Sequence, residues 1–248
     1  MPSVPPVTSQ TGCAFCEVRL KPFLAGFPTR AIEHANRVKQ RRTLPEGAVV
    51  FSSGDQSAGI YCLSRGVVGI FCQHENGTEV LVALAFPGDT LGARAYLRNG
   101  THRTTAKALV SVDLCVIFRG DVLRLAELAP EMEKVLIERC LAALDAAQTE
   151  LLQNAALSNT QRLRQVLYRL CGGAGCADAR DLQLRLPMSR VELAGMLGIQ
   201  PESLSRLMRK LAAAGLITLS GRHLTVHRPD LLGAGDGTAR APGKPGTV

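Results

Sequence analysis

Residues 186–226 read LPMSRVELAGMLGIQPESLSRLMRKLAAAGLITLSGRHLTV, and the local signals in this stretch agree with one another. Ser189-Arg190-Val191-Glu192 is a capping box, in which Ser189 and Glu192 satisfy each other's backbone N–H groups and start a helix. That helix is expected to carry Val191, Leu193, Ala194 and Leu197 on its apolar side, and Gly198 then supplies the permissive backbone of a tight turn. Pro201 suits the first position of a second helix, because its missing N–H would be unpaired there anyway. Leu204, Leu207, Met208 and Leu211 recur at helical spacing behind it, and Gly215 marks the stop. Leu216–Leu219, the turn Ser220-Gly221-Arg222 and Leu224–Val226 complete a two-stranded wing with Arg222 at its tip. The stretch predicts a winged helix-turn-helix.

The second helix leaves Glu202, Ser205, Arg206 and Arg209 on its polar side at spacing i, i+3, i+4, i+7. A helix pair with a merely solvated basic face would give the same spacing. The formal net charge of +8 tilts the reading toward a polyanionic partner, since neutralising phosphates releases counterions. Double-stranded DNA is the expected ligand.

Outward from this stretch, 248 residues with 46% hydrophobic content suit two modest domains, each with its own core. Residues 1–12, rich in Pro, Ser and Thr, and the Gly/Pro/Ala-rich residues 232–248 lack periodicity and are expected to be disordered ends. No apolar run is long enough for a membrane span, and the N-terminus has no secretory pattern, so a cytoplasmic protein is expected. In that compartment the eight cysteines read as reduced thiols or ligands rather than a disulfide framework. Cys62, Cys72 and Cys140 fall within apolar patterns as small core residues.

Between about Arg41 and Phe118 short alternating strands are punctuated by glycines, with Asn76-Gly77 the clearest hairpin turn. This predicts an antiparallel β-roll with a filled interior over residues 13–129. From residue 130 to 156 the period becomes helical, and Met132, Leu136, Cys140, Ala143, Ala147 and Leu151 form a narrow stripe. Such a stripe suits a coiled-coil-like dimer seam, or packing against the chain's own β domain. The fold class is α+β: a β-roll sensor domain, a long dimerisation helix, and a DNA-binding domain over 157–231.

In this order the parts resemble the superfamily of the cyclic-AMP receptor protein and the fumarate-nitrate-reduction regulator. The matching text includes Leu44-Pro45-Glu46-Gly47, Ser53-Gly54-Asp55, Ser64-Arg65-Gly66, Pro87-Gly88-Asp89 and Gly198–Leu207. The resemblance implies a homodimeric transcription factor whose reading helices enter successive major grooves of a palindromic operator, with RNA polymerase as a partner. Glu202-x-x-Ser205-Arg206 resembles the oxygen-sensing branch, which prefers TTGAT-like half-sites. Arg206 can donate twice to guanine, Glu202 can accept from a base amino group, and Ser205 can take either role. Ser189, Arg190, Ser203, Arg209 and Arg222 are expected to hold the DNA backbone.

For the signal, two sets of residues compete. Gly92 and Arg103-Thr104 match part of a cyclic-nucleotide phosphate cassette, and Arg103 could clamp an anion. The cassette's glutamate is replaced by Ala93, and the long helix offers only Thr149 where adenine would be read. Cyclic AMP is therefore not expected, while another small anion stays open. Cys13-x-x-Cys16 and Cys115 match three of the four ligands of the oxygen-sensing branch's iron–sulfur cluster. The third N-terminal cysteine is absent, so Cys62, Cys72, a carboxylate, a histidine or an exogenous group would complete the set. A thiol switch, a zinc site with Cys171 and Cys176, a haem on His74 or His102, and a factor without effector are the alternatives. No catalytic constellation is apparent.

Overall fold

A computed structural model describes residues 27–172 and 180–233. Cys13, Cys16, Cys176 and both expected disordered ends, apart from Leu232 and Gly233, lie outside the described residues. The chain divides between Gln148 and Thr149 into two compact units.

The first unit is built on two four-stranded antiparallel sheets. One has the order β1-β8-β3-β6, formed by Gln40–Leu44, Val112–Phe118, Gly59–Arg65 and Thr90–Leu91. The other has the order β2-β7-β4-β5, formed by Val49–Phe51, Thr105–Ala108, Val68–Gln73 and Glu79–Ala85. Alternation along the strands sends Tyr61, Leu63, Leu114 and Val116 inward to meet Val68, Ala106 and Ala108 in one core. Asn76 closes the β4–β5 hairpin by accepting the Thr78 amide at its Oδ1, 3.0 Å away. Gly59 is required for a different reason: a Cβ there would stand 2.1 Å from the Ile117 carbonyl oxygen, so the two strands could not approach.

The alternate residues of the first sheet face helices. Ile60 and Ile117 join α1 (Thr29–Val38), α3 (Arg119–Leu128) and the start of α4 (Met132–Ala156) in a second core. Here the stripe expected on the long helix divides. Met132 and Leu136 are fully buried in that core and Cys140 is packed against it, so these three serve their own domain. The large apolar residues left exposed on α4 are Ile137, Leu141, Leu144, Leu151 and Leu152. Ile137, Leu141, Leu144, Gln148 and Leu151 form a row at steps of four and three, the spacing of a coiled-coil seam. The start of the expected stripe thus packs on the chain's own β domain, because two turns of the helix cover the sheet, and the exposed apolar row lies on another face.

The second unit places α5 (Asn159–Leu170), α6 (Arg190–Met196) and α7 (Pro201–Ala213) around Leu163, Leu167, Leu193, Leu204, Met208 and Leu211, all buried. Its sheet has three strands, β10-β11-β9, rather than the two expected: β9 (Leu182–Arg185) pairs with β11 (His223–Val226), which pairs with β10 (Ile217–Ser220). Two corrections follow. Val191 is 67% exposed, since it lies roughly 110° around the helix from the centre of Leu193, Ala194 and Leu197 at 100° per residue. Leu232, placed by sequence in a disordered tail, is buried within α8 (Pro229–Gly233).

Candidate nucleic-acid interface and sensor face

Both helices of the motif begin as their sequences require. Ser189 Oγ accepts the Glu192 amide at 3.1 Å, and the Glu192 carboxylate accepts the Ser189 amide at 2.7 Å, closing the capping box of α6. Pro201 stands at the first turn of α7. Arg162 on α5 donates to the carbonyl of Leu197 at 2.7 Å, satisfying the C-terminal end of α6 where it turns toward α7. Sequence reasoning missed Arg162, since nothing local couples it to a residue thirty-five positions away.

On α7 the structure brings together the residues singled out for DNA. Glu202, Arg206 and Arg209 are exposed, and Ser203 and Ser205 are half-buried. The Ser205 hydroxyl donates to the Pro201 carbonyl at 3.0 Å. Its proton is therefore engaged within the helix, and the oxygen lone pairs are what it can turn to a ligand. Arg209 donates from Nε to the Ser205 carbonyl at 3.4 Å, which leaves its terminal nitrogens facing outward along the helix. Arg190 donates to the Gly221 carbonyl at 3.3 Å, and Arg222 donates to the Pro187 carbonyl at 3.4 Å. These two bonds stitch the start of α6 to the wing turn, so the cations assigned to DNA backbone sit on a braced platform.

The wing carries a second brace. His227 Nδ1 lies 2.5 Å from the Asp181 carboxylate and its Nε2 lies 2.8 Å from Thr218 Oγ1. The order carboxylate, imidazole, hydroxyl has the look of a nucleophilic relay, but the Asp181 side chain is 71% exposed and the three groups bridge the approach to β9, β10 and the end of β11. Tying the sheet together is the chemistry this arrangement can perform.

On the β-roll, Arg103 is exposed and Thr104 half-buried, beside α2 (Ala93–Leu97), where Ala93 is buried and carries no carboxylate. His102, a haem candidate by sequence, is a core residue. It is 4% exposed and stacked on the Phe51 ring with centroids 3.8 Å apart, and burial pushes its pKa below the ordinary histidine value. His74 is exposed in the β4–β5 turn, where its Nδ1 accepts the Asn76 amide at 3.3 Å. Buried His102 offers a haem no open axial approach, whereas His74 stands at the surface. Cys115 is half-buried in β8, in register with Arg41 of β1 on one side and Cys62 of β3 on the other. Cys72 stands in the opposite sheet and Cys171 is buried at the end of α5. Among the described residues no three His, Cys, Asp or Glu side chains cluster closely enough to hold a metal.

Family models match the two units separately: a cyclic nucleotide-binding domain over residues 41–128 and a Crp-like helix-turn-helix domain over residues 161–234. The chain belongs to the CRP/FNR superfamily. The regulatory protein HlyX of Actinobacillus pleuropneumoniae is 26% identical, over 79% of this chain and 82% of its own length. The fumarate nitrate reduction regulatory protein of Klebsiella oxytoca is 23% identical, over 83% of this chain and 82% of its own length. FixK2 from Bradyrhizobium japonicum shares the fold, with a TM-score of 0.65 at 20% identity, covering 82% of this chain and 100% of that one.

This CRP/FNR protein is thus a transcription regulator with a DNA-binding helix-turn-helix, and not an enzyme. The absent carboxylate at Ala93 is a departure from the cassette on which a ribose hydroxyl would depend. No helix among the described residues is long and apolar enough to cross a membrane.

Proposed function

We propose that this regulator acts in the cytoplasm as a homodimer on a palindromic operator with TTGAT-type half-sites, together with RNA polymerase, and that its activity is gated by oxygen or redox state. The observation that carries the reading is the exposed constellation on α7. Arg206 has the fork geometry to take guanine O6 and N7, Glu202 can accept from a cytosine or adenine amino group, and Ser205, its own proton engaged, accepts. Ser189, Arg190, Ser203, Arg209 and Arg222 surround them as backbone contacts. The row Ile137, Leu141, Leu144, Leu151 on α4 supports the dimer, because large apolar residues at coiled-coil spacing gain most from a second copy.

For the signal, the donor set suits an iron–sulfur cluster held by Cys13, Cys16 and Cys115. The fourth ligand a cluster takes would be an exogenous group, a carboxylate, a histidine or another of the chain's thiols. When bound, the cluster would supply reactivity toward oxygen, while the chain's own part is to hold soft thiolate donors on the helix-facing side of the first sheet. Absorption, iron and sulfide measured on anaerobically purified protein test this. A broad band near 400 nm with both elements is the expected result. Colourless, iron-free protein that binds its operator equally with and without oxygen or reductant would overturn the gating and leave a constitutive factor.

A further inference from the structure

The two thiols on the first sheet have a relationship that a cluster does not require. Cys62 in β3 and Cys115 in β8 are direct partners in an antiparallel ladder, so their side chains emerge on the same face. The hydrogen bonding fixes which kind of pair they form. Leu63 gives its N–H to Asp89 and receives Gly88 at its carbonyl, so both of its backbone groups point away from β8. The adjacent Cys62 therefore directs both of its own toward Cys115. A hydrogen-bonded pair of this type has Cα atoms about 5.5 Å apart, within the range of roughly 4.4–6.8 Å that a disulfide spans. Two residues along, Ile60 and Ile117 form the next pair on that face, fully buried against the helices. The cysteines themselves are half-buried, which leaves small solutes access to them.

We propose that Cys62 and Cys115 form a reversible cross-strand disulfide under peroxide stress. The Cys115 thiolate attacks hydrogen peroxide: an S–O bond forms, the O–O bond breaks, and the departing hydroxide takes a proton to become water. The Cys62 thiol then attacks the Cys115 sulfur, forming S–S and breaking S–O, and its proton leaves with the second hydroxide as water. Two thiols lose two electrons and one peroxide gains them. Arg41, opposite Cys115 on β1, places a cation on the face where the attacking sulfur carries negative charge. Cys140, the other thiol packed against this core, is a weak competitor because burial pushes its pKa up.

Side chains across such a pair normally keep their Cβ atoms about 4.5–5.5 Å apart, whereas a disulfide brings them to roughly 3.5–4.5 Å. Closure must therefore tighten the ladder, and a bond formed against the sheet's own spacing is readily reduced. Cys62 also packs against the core that contains Met132 and Leu136. Drawing its sulfur toward Cys115 withdraws it from the face that anchors the first turns of α4.

The test uses full-length protein treated with equimolar hydrogen peroxide, quenched with an alkylating agent and digested with trypsin without reductant. Residues 43–65 and 108–119 are the tryptic peptides that carry Cys62 and Cys115, each with one cysteine. The expected product is these two peptides linked, lost on treatment with dithiothreitol. In the Cys62→Ser protein the link disappears and Cys115 sulfenic acid becomes trappable by dimedone, with circular dichroism unchanged. Recovery of both peptides singly alkylated after peroxide, or linkage of either to another cysteine, would overturn the proposal. Iron and sulfide are assayed on the same sample, so loss of the cluster reading is seen separately from the fate of this pair.

Discussion

Arg190 at the start of α6 holds the carbonyl of Gly221 in the wing turn, 3.3 Å from its guanidinium. One side chain thus couples the first helix of the motif to the wing while keeping further donors for a phosphate. Arg190→Ala should weaken binding to cognate and random duplexes by the same factor and reduce the slope of log K against log salt by about one. Fluorescence anisotropy across a salt series reads both quantities.

Arg206 is the counterpart that should discriminate. Arg206→Ala is expected to cost about 1–3 kcal/mol on the cognate operator, relax preference at one base pair, and leave random DNA nearly unaffected. Equal losses on both duplexes would remove Arg206 from base reading.

Leu144 is 52% exposed on α4 and lies in the row with Ile137, Leu141 and Leu151. Leu144→Glu should convert the proposed dimer to monomers in sedimentation experiments while circular dichroism stays native, because nothing in the chain's own core depends on that side chain. Leu136→Ala, by contrast, empties a fully buried position and should destabilise the sensor unit by about 2–5 kcal/mol.

His102 gives a pH dependence with a definite sign. Its folded-state pKa lies below the unfolded value because burial disfavours the cation. The unfolded chain therefore binds the proton more readily. Stability is complete above the unfolded pKa of about 6.5 and declines as pH falls from there toward the folded value. His102→Phe, which keeps a ring against Phe51, should flatten that part of the curve in thermal melts between pH 7 and pH 5.

The winged motif was legible because its signals are local: a capping box within four residues, a proline at a helix start, glycines at turns. For the stripe on α4, packing against its own sheet was the alternative that held at Met132, Leu136 and Cys140, because periodicity identifies stripes but not their partners. β9 escaped notice because Leu182 and Leu184 alternate over only four residues, too few to stand out before β11 pairs with them. The Cys62–Cys115 juxtaposition depends on register between strands some fifty residues apart, which no local pattern encodes. The burial of His102 was not legible either, because the ring that covers it, Phe51, is equally distant in sequence.

Residues 141–149 of α4 are exposed on every side in the single chain, beyond the last turn anchored in the β-roll core. A stretch of helix with no tertiary support is marginal in water, so the order of this segment depends on a neighbour. If the neighbour is the second copy of the proposed dimer, protein abundance enters its control directly. By mass action, a cell that makes more of the regulator would then lengthen the ordered helix with no effector involved, and the threshold for gene control would move with expression level.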